Sequence, residues 1–281
     1  MIRVLSLVEN CADKAGLLGE HGLAMWVEIR GKRVLFDTGQ GLALVRNAQQ
    51  LGVDLTRADA VVLSHGHYDH TGGLAAALAL APSAKVFAHP QAFLRRFARY
   101  AEGKGRDVGM REPDKVVARL SEGAETTQPV EVVPGLWATG PVPRQNDFED
   151  ASGPFFLDSA CLRPDPLEDD QAIFFRAEGG VAVLLGCAHA GVVNTLAYVR
   201  RLTGGTPVLA VMGGMHLRNA PPGRIEQTLA AMERTEVRSL RPCHCTGMRA
   251  VAAMWNRFPG RCGTWAAGEA AEFPEERQNG R

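Results

Sequence analysis

Residues 61–73 run Val61-Val62-Leu63-Ser64-His65-Gly66-His67-Tyr68-Asp69-His70-Thr71-Gly72-Gly73, and the architecture of the chain can be worked out from them. The opening is a short apolar run of the kind that forms a buried strand. The run stops, and His65, His67, Asp69 and His70 follow within six residues. On an extended segment His65 and His67 point to one side, because side chains alternate across a strand. Asp69 and His70 come where the chain turns toward a helix. This spacing lets the first pair hold one metal ion and the second pair a neighbouring one. Packed as core, each of these groups would need a polar partner, whereas neutral imidazole is the commonest metal ligand. Their place directly behind an apolar run sets them apart from a cluster of exposed loop histidines.

The same local context recurs along the chain. Leu23–Ile29 and Lys32–Phe36 flank Arg30-Gly31 as a hairpin, and the second of these strands ends in Asp37-Thr38-Gly39. Ala172–Arg176 and Val181–Leu185 flank Gly179-Gly180 in the same way, and Gly186-Cys187-Ala188-His189 follows. Pro207–Met212 leads to Gly213-Gly214-Met215-His216, and Ser239–Arg241 leads to Pro242-Cys243-His244-Cys245. Helical spacing marks Leu42–Leu51, Leu74–Leu80, Val192–Leu202, Ile225–Arg234 and Met248–Phe258. Both halves thus share the order hairpin, turn with ligand, helix, strand, ligand, helix. If each half supplies one sheet, the α/β (α+β) chain forms a four-layer αββα sandwich. Metal sites are commonly assembled where the strands of such a sheet end and helices begin. His189, His216 and His244 each stand at such a place.

Residues 91–165 break the rhythm and are expected to be an insertion, or lid, on one domain spanning 1–281. They contain a basic, aromatic helix candidate (Gln91–Ala101), glycines at 103 and 105, and strand candidates at Val116–Leu120, Val130–Val133 and Leu136–Ala138. Arg95, Arg99, Lys104, Arg111 and Arg144 are candidate anion clamps, since the guanidinium fork suits phosphate. Arg144 stands out, because Gly140 and two prolines stiffen its loop.

The chain has 281 residues, 46% of them hydrophobic, and a formal net charge of +0. A neutral chain has no bulk attraction for nucleic acid or membrane surfaces; the candidate arginine clamps make a small-molecule, anionic substrate the expected partner. No export signal or membrane span is read from the sequence. Six dispersed cysteines with no C-x-x-C pair fit free thiols in a reducing cytoplasm.

The pattern H-x-H-x-D-H at His65–His70 resembles the signature of the metallo-β-lactamase fold superfamily. Glu20-His21-Gly22-Leu23, Leu35–Gln40, Gly186–Asn194, Gly213–Leu217, Pro242–Gly247 and Ala138–Arg144 together resemble one branch of it. That branch is the 7,8-dihydropterin-6-methyl-4-(β-D-ribofuranosyl)aminobenzene 5′-phosphate synthase-like metallo-hydrolases. The resemblance implies one metal on His65, His67 and His189, and a second on Asp69, His70 and His244. It implies that Asp37 supports the ligands from behind, that Asp69 and His216 take part in catalysis, and that His21 lines the pocket. Many dinuclear members carry a metal-bridging Asp after the strand that here ends at Gly213-Gly214. This chain has Met215-His216-Leu217 there, so the second metal is expected to be the weaker. Nitrogen-rich ligation suits zinc, and iron or manganese would also fit. The implied activity is a metal-dependent hydrolase using a metal-bound hydroxide on a small phosphorylated or ester substrate. The alternatives are a dihydropterin pyrophosphate-dependent transferase and, from a different class, a non-catalytic metal-binding sensor.

Overall fold

The computed structural model describes residues 1–99, 105–111, 124–149 and 153–276. The first half gives β1 (Ile2–Val8), β2 (Ala24–Ile29), β3 (Lys32–Phe36), α1 (Leu44–Gln50), β4 (Ala60–Val62), the one-turn helix α2 (Tyr68–Thr71), α3 (Leu74–Leu80) and β5 (Lys85–Phe87). Short strands follow: β6 (Phe97–Ala98), β7 (Arg106–Asp107), β8 (Val130–Val133), β9 (Leu136–Ala138) and β10 (Phe155–Phe156). The second half supplies β11 (Ala172–Ala177), β12 (Gly180–Leu185), α4 (Val192–Leu202), β13 (Val208–Gly214), α5 (Pro222–Arg234), β14 (Ser239–Cys243), α6 (Met248–Arg257) and β15 (Ala270–Phe273).

Two six-stranded sheets run in the orders β15-β1-β2-β3-β4-β5 and β14-β13-β12-β11-β9-β8. The period-2 pattern of each strand decides the layering. Val34 and Phe36 of β3 face the other sheet, where they meet Ile173, Phe175, Leu184 and Met212. Leu35, between them, faces outward with Trp26 and Val61 beneath Leu44, Ala48, Leu74 and Leu78 of α1 and α3. On the other sheet, Val183 and Leu185 face outward beneath Leu196, Val199, Ile225, Leu229 and Met254 of α4, α5 and α6. Both faces of both sheets are therefore buried, which is why the central strands read as continuous apolar runs. The result is the expected αββα sandwich. At the β2–β3 turn Arg30 (φ 49°) and Gly31 (φ 74°) are both left-handed, as a two-residue hairpin turn of this hand requires.

Strands β3, β4 and β5 are mutually parallel, and so are β12, β13 and β14. The turns after β3, β4, β12, β13 and β14 therefore gather along one rim of the sandwich. Those turns carry Asp37, His65–His70, Cys187 and His189, His216 and His244.

The stretch 91–165 differs from expectation in two ways. First, β9 pairs with β11 and β8 forms the edge beyond it, so residues 130–138 belong to the second sheet. Second, no α-helix spans Gln91–Phe97. Pro90–Phe93 forms one 3₁₀ turn capped by His89 Nδ1, and Phe97–Ala98 pairs with β10 and β7 in a small third sheet. The cause is Arg96, fully buried and ion-paired to Asp169 at 2.7 Å and Asp165 at 3.5 Å, which holds the chain extended. The strand candidate Val116–Leu120, Gly103 and Lys104 lie outside the described residues. Among the described residues no helix is long and apolar enough to cross a membrane.

Arg96→Ala should leave two carboxylates buried beside each other with no cation. Such a loss costs about 3–5 kcal/mol and should appear as a lowered urea unfolding midpoint at unchanged m-value.

Candidate metal centre

The rim assembles its donors from both halves of the chain. Asp37, fully buried, accepts hydrogen bonds from Ser64 N and Ser64 Oγ, both at 2.7 Å, and stands 2.7 Å from His70 Nδ1. Ser64 Oγ lies 2.9 Å from His65 Nδ1. One carboxylate thus turns the Nε2 atoms of His65 and His70 toward the interior of the cluster. A side chain at Gly186 would put its Cβ 2.1 Å from Ser64 Oγ, so the close approach of β12 to this network requires glycine. From the second half, Asp170 Oδ2 accepts the Ala190 N–H at 2.8 Å and anchors the turn carrying His189. Glu9 Oε1 accepts the His244 N–H at 2.6 Å, and Asn10 Oδ1 stands 3.0 Å from His244 Nδ1. These two residues follow β1, and they aim His244 Nε2 at the cluster.

His65, His67 and His189 present donor atoms within 4.8 Å of one another, all buried. Among the described residues, His67 Nε2 and both ring nitrogens of His189 have no hydrogen-bond partner. Burial, reinforced by neighbouring cationic groups, holds these three imidazoles well below the usual histidine range. They stay neutral, with lone pairs available. On the other side His70 Nε2 stands 3.1 Å from His244 Nε2 and 3.9 Å from Asp69 Oδ2. Asp69 Oδ2 is 3.4 Å from His244 Nε2. Burial works against the ionised Asp69, but His70 and His244 outweigh it and hold the carboxyl below its usual range. Burial also opposes the charged form of His70, and the Asp37 and Asp69 carboxylates overcome it, raising the group to about 9.

Orphaned buried nitrogens are costly unless something occupies them. Nitrogen donors about 2.0–2.1 Å from a tetrahedral zinc would sit roughly 3.3 Å from each other. The donor set therefore fits a divalent metal on His65, His67 and His189, and a second beside Asp69, His70 and His244.

The remaining sequence candidates fall around this core. His21 is exposed at the mouth, with Nε2 3.7 Å from Asp69 Oδ2. His216 is half-buried, its ring centroid 4.3 Å from that of His189 and its Nδ1 unpartnered. Arg144 is exposed and makes no hydrogen bond or ion pair to the cluster among the described residues; its charge acts on the buried Asp165 and Asp170. Arg95 and Arg99 are engaged in the small sheet, on Asp107 and on Phe156 and the Cys161 carbonyl. Several contributors had no assigned role in the sequence reading. Ser64, Glu9, Asn10 and Asp170 orient ligands, and Phe155 packs its ring over His67 at 4.6 Å and His189 at 5.4 Å. Cys187 Sγ reaches to 3.2 Å from His70 Nε2, and burial pushes its thiol well above the usual value. Only Ser64 and Cys187 carried a signal, Ser64 beside His65 and Cys187 two residues before His189. Beside His244 a cleft of about 430 Å³ is lined by Arg218, Met248, Val251, Trp255 and Trp265.

Asp37→Ala should weaken metal binding by about 10–100-fold, the range for a group that orients a ligand, with circular dichroism unchanged. Metal titration of the apo-protein reads this. A second outcome concerns Asp170, which burial raises to about 7. The folded state then holds a proton that the unfolded state has released above about 4. In the metal-free protein Asp170 contributes stability that is lost as pH rises from about 4 to about 7, against the gain from the neutral His65, His67 and His189 over the same window, so Asp170→Asn should steepen the net rise in stability there, read by urea unfolding at stepped pH.

Residues 18–189 match the family described as Metallo-beta-lactamase superfamily. The chain is 28% identical over 272 residues to the 7,8-dihydropterin-6-methyl-4-(beta-D-ribofuranosyl)-aminobenzene-5'-phosphate synthase of Methanocaldococcus jannaschii, covering 92% of each. It is 30% identical over 256 residues to uncharacterized protein MJ0448 of the same organism, covering 90% of this chain and 93% of that one. Among solved structures it resembles Tm1679, described as a metal-dependent hydrolase of the beta-lactamase superfamily. The TM-score is 0.84 and the identity 29%, over 98% of this chain and 100% of that one. With its sandwich, its rim of converging imidazoles and these matches, the chain belongs to the metallo-β-lactamase superfamily.

Proposed function

We propose that this chain is a metal-dependent hydrolase acting on a small anionic substrate, a phosphate or carboxylic ester. The observation that carries the reading is the set of neutral, buried, unpartnered nitrogens on His67 and His189 beside the ionised Asp69. A purely structural cluster would have satisfied these atoms internally. Zinc suits the nitrogen-rich set, with iron or manganese as the other fitting ions. When bound, the metal polarises the scissile group and lowers the pKa of its water to roughly 7.

The chain's own residues do the rest. His65, His67 and His189 hold one position, and Asp69, His70 and His244 the other. Phe155 shields His67 and His189 from bulk water, which strengthens every charge interaction beneath it. His216 keeps an unpartnered Nδ1 next to His189, where it can hold or pass a proton during turnover. Arg218 lines the cleft against His244, with its guanidinium on the His244 carbonyl at 3.2 Å, and offers a cation to an anionic substrate. Six free thiols fit residence in the reducing cytoplasm.

A second reading is supported by the cleft itself. Met248 and Trp255 are 79% and 42% exposed, an unusual display for large apolar side chains, and they sit at its wall with Trp265. Such a surface suits a flat heteroaromatic group. It favours a transfer reaction related to that named for the Methanocaldococcus jannaschii synthase, with the dihydropterin in the cleft and pyrophosphate leaving at the metals.

The test is a panel assay of metal-loaded protein on phosphomonoesters, phosphodiesters, lactones and a dihydropterin pyrophosphate with and without an aryl nucleophile. Hydrolysis that disappears in the His65→Ala, His67→Ala double variant supports the first reading. Turnover only when the aryl nucleophile is present favours the second. Full activity in the double variant, or after exhaustive chelation, would sink both.

A further inference from the structure

Two divalent ions held close together repel each other, and an anionic donor between them offsets that repulsion. Among the described residues the donor clusters contain one carboxylate, Asp69. It lies on the side of His70 and His244, 3.9 and 3.4 Å from their Nε2 atoms. The other anionic-capable donors among the described residues are Cys187 and Cys245. Cys187 stands two residues before His189, at the end of β12, with its sulfur turned inward.

The position of that sulfur is central. Cys187 Sγ is 3.2 Å from His70 Nε2. It falls within 4.8 Å of donor atoms of His65 together with His70, of His189 together with His216, and of His244 together with Cys245. It is thus within reach of donors on both sides: His65 and His189 on one, His70 and His244 on the other. Cys245 does not share this placement. Its sulfur accepts the His216 N–H at 3.3 Å and lies 3.6 Å from the Cys187 carbonyl, and among the described residues it falls in one donor cluster, with Cys187 and His244. Thiolate is a strong ligand for zinc and its neighbours in the periodic table.

We propose that Cys187 is a metal ligand, its sulfur bridging the two positions as the anionic donor between them. Binding replaces the Sγ–H bond by sulfur–metal bonds and releases one proton to solvent. The proposal rests on the metal-centre reading above and adds to it a residue and a coordination type. It also changes the expectation for the second position, since a bridging sulfur supplies a charge that the turn after β13 lacks.

The experiment is cobalt(II) loading of the full-length apo-protein, read by near-ultraviolet thiolate-to-cobalt charge-transfer absorption together with cobalt content from elemental analysis. Wild type should take up two equivalents and show the absorption. Cys187→Ser should lose it and bind the second equivalent at least about tenfold more weakly. Cys245→Ser should keep both. Cys187→Asp should restore the second equivalent without the absorption. Cobalt uptake by wild type with no thiolate absorption, or absorption that survives in Cys187→Ser, overturns the bridge and leaves the metal centre standing. No cobalt uptake by wild type overturns both.

Discussion

The carboxylate of Asp37 ties the ends of the neighbouring strands β3 and β4 to the imidazoles of His65 and His70. It takes a backbone donor and a hydroxyl from Ser64 and faces the Nδ1 of His70. Ser64 passes the constraint on to His65. A buried carboxylate is tolerable only when such donors surround it. Here they are supplied by the very residues whose far ends must point inward, so the cost of burying the charge and the task of aiming the ligands are met by one arrangement. The neutral, unpartnered imidazoles of His67 and His189 complete a cluster that stays poised for a cation.

Backbone strain collects at the same rim. Asp37, Ala188, His216 and His244 all adopt left-handed conformations, with φ of 58°, 51°, 48° and 52°. Non-glycine residues rarely sit there without reason, and each such residue costs on the order of 1 kcal/mol or more. These four end their strands abruptly and throw the next side chain across the rim instead of continuing along the sheet. The packed sheets below, with both faces covered, hold the turns in that shape.

Much of this was legible in the sequence, and the reasons are local. The hairpin at Arg30-Gly31, the apolar run before Ser64, and the ligand-bearing turns after β12, β13 and β14 all declare themselves through neighbours in the chain. What was not legible depends on partners far away in sequence. Gln91–Ala101 has helical composition, yet Arg96 is drawn into a buried pair with Asp169 and the helix gives way to a two-residue strand. Val130–Val133 and Leu136–Ala138 were recognisable as strands, but only the sheet order shows that they extend the second sheet. β15 completes the first sheet from the opposite end of the chain, a pairing that no periodicity announces. At the site, Glu9, Asn10 and Asp170 reach turns far away in the chain, which leaves no spacing to read.

The parallel strands of the two sheets bring their ends to one rim from separate halves of the chain, and His70 and His244 face each other across 174 residues. An ion seated between them is therefore a clasp as well as a reagent. It would close a loop comprising most of the molecule, and it binds the folded chain while the unfolded one offers no assembled site. With a metal bound there, the tightness with which the two sheets hold together would track the free metal concentration, as ligand-linked stability must. Metal supply would govern how long the protein lasts as well as how fast it works.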